Sequence, residues 1–277
     1  MTAIPTNLTR YPPTMDTVRS RDGTTIAYDR RGNGPPVVIV GGALSDRRAA
    51  ANLSEALAGR MTAIAVDRRG RGDSGDTQPY AVDREIEDIA ALIDAVGGEA
   101  AVLGHSSGAV LSLRAAEAGL PIRRLALYEP PFIVDDTRPP LPGDYVTHID
   151  ELIAAGRGGD AVEYFMATGP RIPEPAIEGA KRSPAWAGMT AIAHTLSYDN
   201  RIMGDTMAGD PAPLERWSRI ATPTLVMAGG DSPASMRNAA AALAAVLPNA
   251  TIRTLEGQTH GAAAEVLAPV LLDFFLS

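Results

Sequence analysis

The stretch of the sequence that most suggests chemistry is Gly104-His105-Ser106-Ser107-Gly108, which fits the pattern Gly-x-Ser-x-Gly. A serine in this pattern can act as a nucleophile when it sits on a tight turn between a strand and a helix, because the turn exposes its hydroxyl group. Ser107 would then begin the helix, where its backbone N–H can stabilise a developing oxyanion. The motif therefore predicts acyl transfer through an ester of Ser106.

The sequence around the motif supplies the strand and the helix that this turn requires. Ala101-Val102-Leu103 is a short apolar run typical of a buried parallel strand, and Ala109 to Ala118 has helical spacing. The other predicted strands are 16–21 and 24–30, which flank the Asp22-Gly23 turn, and 37–40, 62–66, 122–128, 224–227 and 251–255. Helical patterns separate most of them, at 49–58, 82–96, 234–247 and 266–275. This alternation predicts an α/β fold, with a mostly parallel eight-stranded sheet and helices on both faces.

The alternation stops between the sixth and seventh strands. From Pro130 to about Trp217 prolines and glycines separate short helical patterns, at 145–155, 161–166 and 185–196. We expect residues 1–130 and 217–277 to form the core, and residues 131–216 to form a helical lid inserted after the sixth strand. Such a lid would cover the carboxyl ends of the strands, where open parallel sheets bind their ligands.

Together these motifs resemble the α/β-hydrolase superfamily, in its serine-nucleophile branch, over almost the whole chain outside the lid. The segment Asp67-Arg68-Arg69-Gly70-Arg71-Gly72-Asp73-Ser74 resembles the family's Asp-x-Arg-Gly-x-Gly-x-Ser loop, which is structural. Considered alone, the same segment could be a basic phosphate-binding turn. Family members often carry His-Gly after the first parallel strand, where this chain has Gly41-Gly42. The resemblance implies that the N–H of Ala43 is the second oxyanion donor, beside that of Ser107.

The resemblance also indicates the general base. His260 follows the last strand, in a loop that this fold brings over the serine, and the chain order of serine before histidine fits the family. The other three histidines are His105, inside the motif, and His148 and His194, in the predicted lid. We therefore predict that His260 activates Ser106.

Two carboxylates compete for the third catalytic position, which orients the histidine and stabilises its cation. Asp231 follows the strand that usually carries the acid, but the common Gly-x-x-Asp spacing would place the acid at Ser232. Glu129 ends the strand 122–128 and precedes two prolines, and some members of this fold, including haloalkane dehalogenases, take their acid from that strand. The shifted aspartate favours Glu129, and both stay candidates.

The leading functional hypothesis is a serine hydrolase that acts on a small ester, lactone or thioester. The alternatives are a tailoring enzyme of secondary metabolism (a cyclase, lyase or bond-forming enzyme) that uses the same pocket, and a non-enzymatic receptor of small molecules. The substrate is expected to be partly apolar or aromatic. The residues predicted to contact it are Gly42, His194, Tyr198, Trp186 and Phe165.

Composition excludes several other classes. The 277 residues contain no cysteine, which rules out disulfides, thiolate metal sites and a cysteine nucleophile. The scattered histidines and the lack of a dinucleotide-binding motif predict neither a metal nor an organic cofactor. A net charge of −8 argues against nucleic acids and membrane surfaces as partners. Met1 to Pro13 lacks the apolar run of a signal peptide, so we expect a cytoplasmic protein, as a monomer or a homodimer.

Overall fold

The computed structural model describes residues 12–277 and is built on one eight-stranded sheet. Its strands are β1 (Thr14–Arg19), β2 (Thr25–Arg31), β3 (Pro36–Val40), β4 (Thr62–Val66), β5 (Ala100–His105), β6 (Ile122–Tyr128), β7 (Thr224–Gly229) and β8 (Ala250–Leu255). They lie in the order β1-β2-β4-β3-β5-β6-β7-β8. Only the β1–β2 and β2–β4 pairs are antiparallel. The predicted fold class is thereby confirmed.

Helices cover both faces of the sheet, as the strand sequences require. The core helices are α1 (Ala51–Leu57), α2 (Val82–Ala95), α3 (Ser107–Glu117), α9 (Ala234–Val246) and α10 (Ala264–Leu276). In β3, Val38 and Val40 pack into the cluster that contains α2, α3 and α9, whereas Val37 and Ile39 pack into the one that contains α1 and α10. Alternate residues of a strand face opposite sides, so a strand buried on both faces is apolar throughout.

Residues 131–216, called the insert below, connect β6 to β7. They form the helices α4 (Tyr145–Ala154), α5 (Gly158–Thr168), α6 (Glu174–Lys181), α7 (Ala185–Ala191) and α8 (Leu196–Met203). These helices bury two small apolar clusters of their own, around Ile149 and around Ile177.

The helices of the insert differ from their sequence prediction in two places. The sequence predicts no helix at α6, which follows Pro173 and has Pro175 in its first turn. Proline is tolerated there because the first turn of a helix has no internal partner for its N–H groups. The single helix predicted over 185–196 is instead α7 and a 3₁₀ turn at Ala193–Thr195, and it is followed by α8, which the sequence pattern does not predict.

The sequence predicts no signal peptide in Met1 to Pro13, and the first 11 of these residues lie outside the described part of the chain. Among residues 12–277, no helix combines the length and the apolar character needed to cross a bilayer.

Candidate active site

Ser106 occupies a strained turn between β5 and α3. Its backbone has φ 55° and ψ −125°, a conformation that is costly for a residue with a side chain and that is found at functional sites. A Cβ at Gly42 would lie 2.8 Å from the Cβ of Ser106, and one at Gly108 would collide with the carbonyl oxygen of Val40. Glycine is therefore needed at both places, because Ser106 approaches Gly42 and the backbone at the end of β3 approaches Gly108 too closely for a side chain.

His260 is hydrogen-bonded to Glu129. The distance from His260 Nδ1 to Glu129 Oε2 is 2.7 Å, and the backbone N–H of Gly229 donates to Glu129 Oε1 at 2.8 Å. Burial alone would raise the pKa of this fully buried carboxyl, but the hydrogen bond from His260, the nearby Ser232 hydroxyl and the N–H of Gly229 together outweigh it and hold the pKa below its ordinary value. A carboxylate only accepts, so Nδ1 carries the proton. The lone pair of Nε2 is thereby left for a second partner.

Asp231, the other candidate acid, does not reach His260. Its side chain is exposed, and its backbone N–H donates to the carbonyl of Gln258 at 2.9 Å. The next residue, Ser232, is the one that turns inward, with 2% of its surface exposed. The turn after β7 thus buries the position of the common family acid, and this chain has a serine there.

Two side chains, those of His105 and Tyr128, hydrogen-bond to the loop that carries His260. His105 Nε2 lies 2.9 Å from the carbonyl oxygen of His260, and the hydroxyl of Tyr128 donates to the carbonyl oxygen of Thr259. Because a carbonyl only accepts, His105 is protonated on Nε2. Burial, with the neighbouring imidazole of His260 as a second cause, lowers the pKa of His105 to about 4. Sequence reasoning gave His105 no role, because no motif marks a hydrogen bond to a backbone carbonyl 155 residues away.

This arrangement predicts a pH-dependent contribution of His105 to stability. The folded-state pKa of about 4 lies below the ordinary value of 6.5, so between these values the unfolded chain binds more protons. The contribution is therefore fully present above pH 6.5 and is lost as the pH falls toward 4, by at most about 1.4 kcal/mol per pH unit. Urea unfolding of wild type and His105→Gln at several pH values should show a shallower acid decline in the variant. Equal pH dependence in the two proteins would contradict this prediction.

Ser45 and Arg71 orient the peptide that precedes Ala43. The carbonyl oxygen of Gly42 accepts hydrogen bonds from Ser45 Oγ at 2.7 Å and from Arg71 Nη1. In a trans peptide the N–H points away from the carbonyl, so these bonds also direct the Ala43 N–H. Ala43 and Ser107 both border the cavity that contains Ser106. Ser107 begins α3, so its N–H has no partner inside the helix.

A group of four buried charges lies behind this peptide. Arg68 pairs with Glu85 through Nε at 2.7 Å and with Asp199 of α8 through Nη1 at 2.8 Å. Arg71 Nη2 reaches the other oxygen of Asp199, also at 2.8 Å, and the Ser107 hydroxyl donates to Asp199 at 2.7 Å. We call Arg68, Arg71, Glu85 and Asp199 the buried charge cluster. It ties the insert to the loop before Ala43 and to the start of α3.

The phosphate-binding interpretation of the segment 67–74 is wrong. Its three arginines are buried, and each is paired with a carboxylate. Arg69 binds Asp22 at 2.9 Å and Asp88 at 2.8 Å, and the other two belong to the buried charge cluster. None of them is exposed to a ligand in solution.

Ser106 and His260 border one large cavity between the sheet and the insert, with a volume of about 1160 Å³. Most of the side chains around it are apolar, among them Leu103, Leu141, Val146, Met203 and Met207. Two of the predicted substrate contacts, Gly42 and Phe165, also border it.

The other three predicted contacts, His194, Tyr198 and Trp186, lie outside the cavity lining, which corrects the prediction. Tyr198 stacks on Tyr80 with ring centroids 3.8 Å apart, and its hydroxyl donates to Asp76 at 2.7 Å. His194 Nε2 lies 3.5 Å from the same carboxylate. Trp186 packs in the cluster around Ile177. These side chains pack within the insert and attach it to the core. Aromatic residues in a lid can serve such packing as well as substrate contact, and the sequence does not distinguish the two roles.

Comparison with known proteins agrees with this fold. Residues 37–270 match the alpha/beta hydrolase family, and the chain belongs to that family. A solved alpha/beta hydrolase from Sphaerobacter thermophilus is 57% identical, with a TM-score of 0.89 over 94% of this chain and 100% of that one. The protein is accordingly an enzyme, a hydrolase.

Two curated relatives are similar at lower identity. N-formylmaleamate deformylase of Pseudomonas putida is 33% identical over 143 residues, which cover 50% of this chain and only 53% of the deformylase. The 2-(acetamidomethylene)succinate hydrolase of Mesorhizobium japonicum is 26% identical over 246 residues, 85% of each chain.

Proposed function

We propose that the protein is a serine hydrolase of small acyl compounds, such as esters, lactones or thioesters, in which Ser106, His260 and Glu129 form a catalytic triad. The observation that carries this proposal is the 2.7 Å hydrogen bond between His260 and the fully buried Glu129, beside a serine on a strained turn. A buried carboxylate that fixes the tautomer of a histidine is the arrangement by which a serine is activated.

In the reaction that we propose, His260 Nε2 takes the proton of the Ser106 hydroxyl while Oγ attacks the carbonyl carbon. The resulting oxyanion is stabilised by the N–H groups of Ala43 and Ser107. His260 then protonates the leaving group, which departs and leaves an acyl ester on Ser106. A water molecule, deprotonated by His260, attacks that ester and releases the acid. Glu129 stays ionised and stabilises the imidazolium in both halves of the cycle.

The insert acts in this proposal as the lid that forms most of the substrate pocket. A mostly apolar cavity of about 1160 Å³ suits a small molecule with an apolar part. The relatives named as a deformylase and as a hydrolase of an acetamido compound support acyl transfer, and extend the acyl compounds worth testing to amides. Both names also refer to derivatives of acids, maleamate and succinate, which supports including substrates with a carboxylate.

Labelling with a fluorophosphonate probe tests the proposal directly. Only a serine activated by a base reacts quickly, so we expect one stoichiometric adduct on the peptide that contains Ser106, found by mass spectrometry. Ser106→Ala should abolish the adduct, and Ser107→Ala, the neighbouring serine, should keep it. No adduct on the wild-type protein would instead favour the alternative of a tailoring enzyme that uses the pocket without an activated serine.

A further inference from the structure

The arginines buried in residues 12–277 have very different surroundings. Four arginines have less than 9% of their surface exposed: Arg68, Arg69, Arg71 and Arg138. The first three each pair with one or two carboxylates. Arg138 is 8% exposed and forms no ion pair with an Asp or Glu of the described chain. A buried cation without a counter-ion is costly, so such a residue calls for an explanation.

Arg138 borders the same cavity as Ser106 and His260. Its Nη2 donates to the carbonyl oxygen of Gly169, at the end of α5, and its other nitrogens have no partner in the described chain. Burial lowers its pKa from the ordinary value and Arg171 adds to this effect, but the guanidinium stays charged. Arg171 is thus a second positive charge near Arg138, so the excess of positive charge at this place is larger than that of Arg138 alone.

A second donor lies beside this arginine. Tyr145 of α4 is 2% exposed, borders the cavity, and has a hydroxyl with no hydrogen-bond partner within residues 12–277. That hydroxyl lies only 3.1 Å from where a Cβ at Gly169 would be, and Gly169 is the residue whose carbonyl Arg138 binds. Arg138 and Tyr145 therefore converge on one corner of the cavity, and both keep donors to offer.

All but one of the other charged residues around the cavity are paired with an opposite charge. Arg47 pairs with Asp29, Asp67 and Asp73. The carboxylates Asp46, Asp199 and Asp205 each pair with at least one arginine. The remaining acid, Glu265, is exposed at the start of α10. The negative charge that balances Arg138 is thus supplied by none of these groups.

We propose that Arg138, assisted by Tyr145, binds a carboxylate of the substrate, so that the enzyme acts on acyl compounds that carry a second, anionic group. This inference rests on the proposed function, because the anionic group is held at the far end of a molecule whose carbonyl reaches Ser106. A planar guanidinium matches a carboxylate with two parallel hydrogen bonds. Arg171 lies outside the cavity lining, so Arg138 is the cation that this corner presents to a ligand, and one cation suits a single negative charge better than a phosphate dianion.

The test compares pairs of methyl esters that differ only in the distant group. Monomethyl succinate, glutarate and adipate carry a terminal carboxylate, and in their partners methyl butanoate, pentanoate and hexanoate a methyl group replaces it. We expect wild type to prefer the anionic member of at least one pair in kcat/KM, with an optimum in chain length. Arg138→Gln should lower kcat/KM for that anionic ester about 10- to 100-fold and change the neutral ester less than threefold. Arg138→Lys should recover part of the loss.

Two controls separate binding from folding and from long-range attraction. Arg171→Gln removes an exposed charge close by and should change the preference less than threefold. Titration calorimetry of Ser106→Ala with succinate, glutarate and adipate should detect binding of at least one of them, and Arg138→Gln in the same protein should abolish it. This measurement needs no turnover, so it tests the carboxylate site even if the proposed function fails.

Two results would overturn the inference. One is an equal effect of Arg138→Gln on the anionic and neutral esters, which would make Arg138 structural. The other is a preference of wild type for the neutral member of every pair. If instead Ser106→Ala still hydrolyses the neutral esters at the wild-type rate, the proposed function is wrong, and calorimetry alone decides the carboxylate site.

Discussion

Replacing Ser106 with alanine is expected to lower kcat on any substrate of the enzyme by a factor on the order of 10⁵ to 10⁶. The reason is that the proposed reaction passes through an ester of this hydroxyl, and the neighbouring hydroxyl on the turn, that of Ser107, donates to Asp199 instead. The measurement is a single-turnover assay on the methyl ester that wild type hydrolyses fastest. His260→Ala should have a similar effect, because an unactivated serine is a poor nucleophile.

The double variant gives the sharper result. If Ser106 and His260 act in one step, Ser106→Ala combined with His260→Ala should be no slower than the worse single variant, since each change alone removes the whole step. Multiplicative losses would mean that the two residues act independently, which contradicts the triad. Ser107→Ala is the matched control for the serine, because it keeps the backbone N–H that the oxyanion would need. It removes the hydrogen bond from its hydroxyl to Asp199 and a longer one, at 3.4 Å, that the hydroxyl accepts from Arg68.

Replacing Glu129 with glutamine should lower kcat about 10³- to 10⁴-fold. Glutamine has the same shape, but its amide carries no charge to stabilise the imidazolium, and its NH₂ group can turn toward Nδ1 and favour the wrong tautomer. Asp231→Asn is the matched control: its side chain is exposed, so activity should change less than threefold. A large loss with Asp231→Asn and a small one with Glu129→Gln would reverse our assignment of the acid.

The buried position of Ser232 allows a rescue experiment. A Cβ at Gly229 would lie 2.9 Å from the Ser232 hydroxyl, and the N–H of Gly229 is a hydrogen-bond donor to Glu129. The hydroxyl of Ser232 therefore lies close to the Glu129 carboxylate. Adding Ser232→Asp to Glu129→Gln should recover at least about tenfold in kcat, because a carboxylate returns to the same side of His260. No recovery in a variant that folds with wild-type circular dichroism would show that only β6 can supply the acid in this chain.

Most of the core could be predicted from the sequence, because its local and global patterns agree. Strands such as β4 and β6 are short apolar runs bounded by turn residues, and their predicted bounds match the structure residue for residue. The insert was harder, because its helices are short and proline occurs in the first turn of α6. In such a segment, tertiary packing decides where a helix begins, and a period of 3.6 residues has too few turns to be visible.

The candidate site, like the fold, could be predicted from the sequence only in part. Ser106 and His260 could be predicted because a short motif and a position in the fold identify them. Glu129 and Asp231 could not be separated, since both follow strands at the same edge of the sheet, and only the backbone at Glu129, with φ 47°, directs one of them toward His260. The sequence analysis assigned no role to Arg138. What distinguishes this residue is that it has no counter-ion, and the absence of a contact cannot be recognised from the sequence.

The buried charge cluster has a consequence for how such enzymes can be recombined. Asp199 belongs to the insert, yet it neutralises Arg68 and Arg71 of the core, so a chimera that exchanges the insert for one without an acid at this position would strand two guanidinium groups with one carboxylate. The peptide before Ala43 would lose its support in the same step. Substrate specificity is therefore changed most easily by point substitutions on the side of α4 and α5 that borders the cavity. Exchange of a whole insert is expected to succeed only when the new insert also supplies an acid that pairs with Arg68 and Arg71.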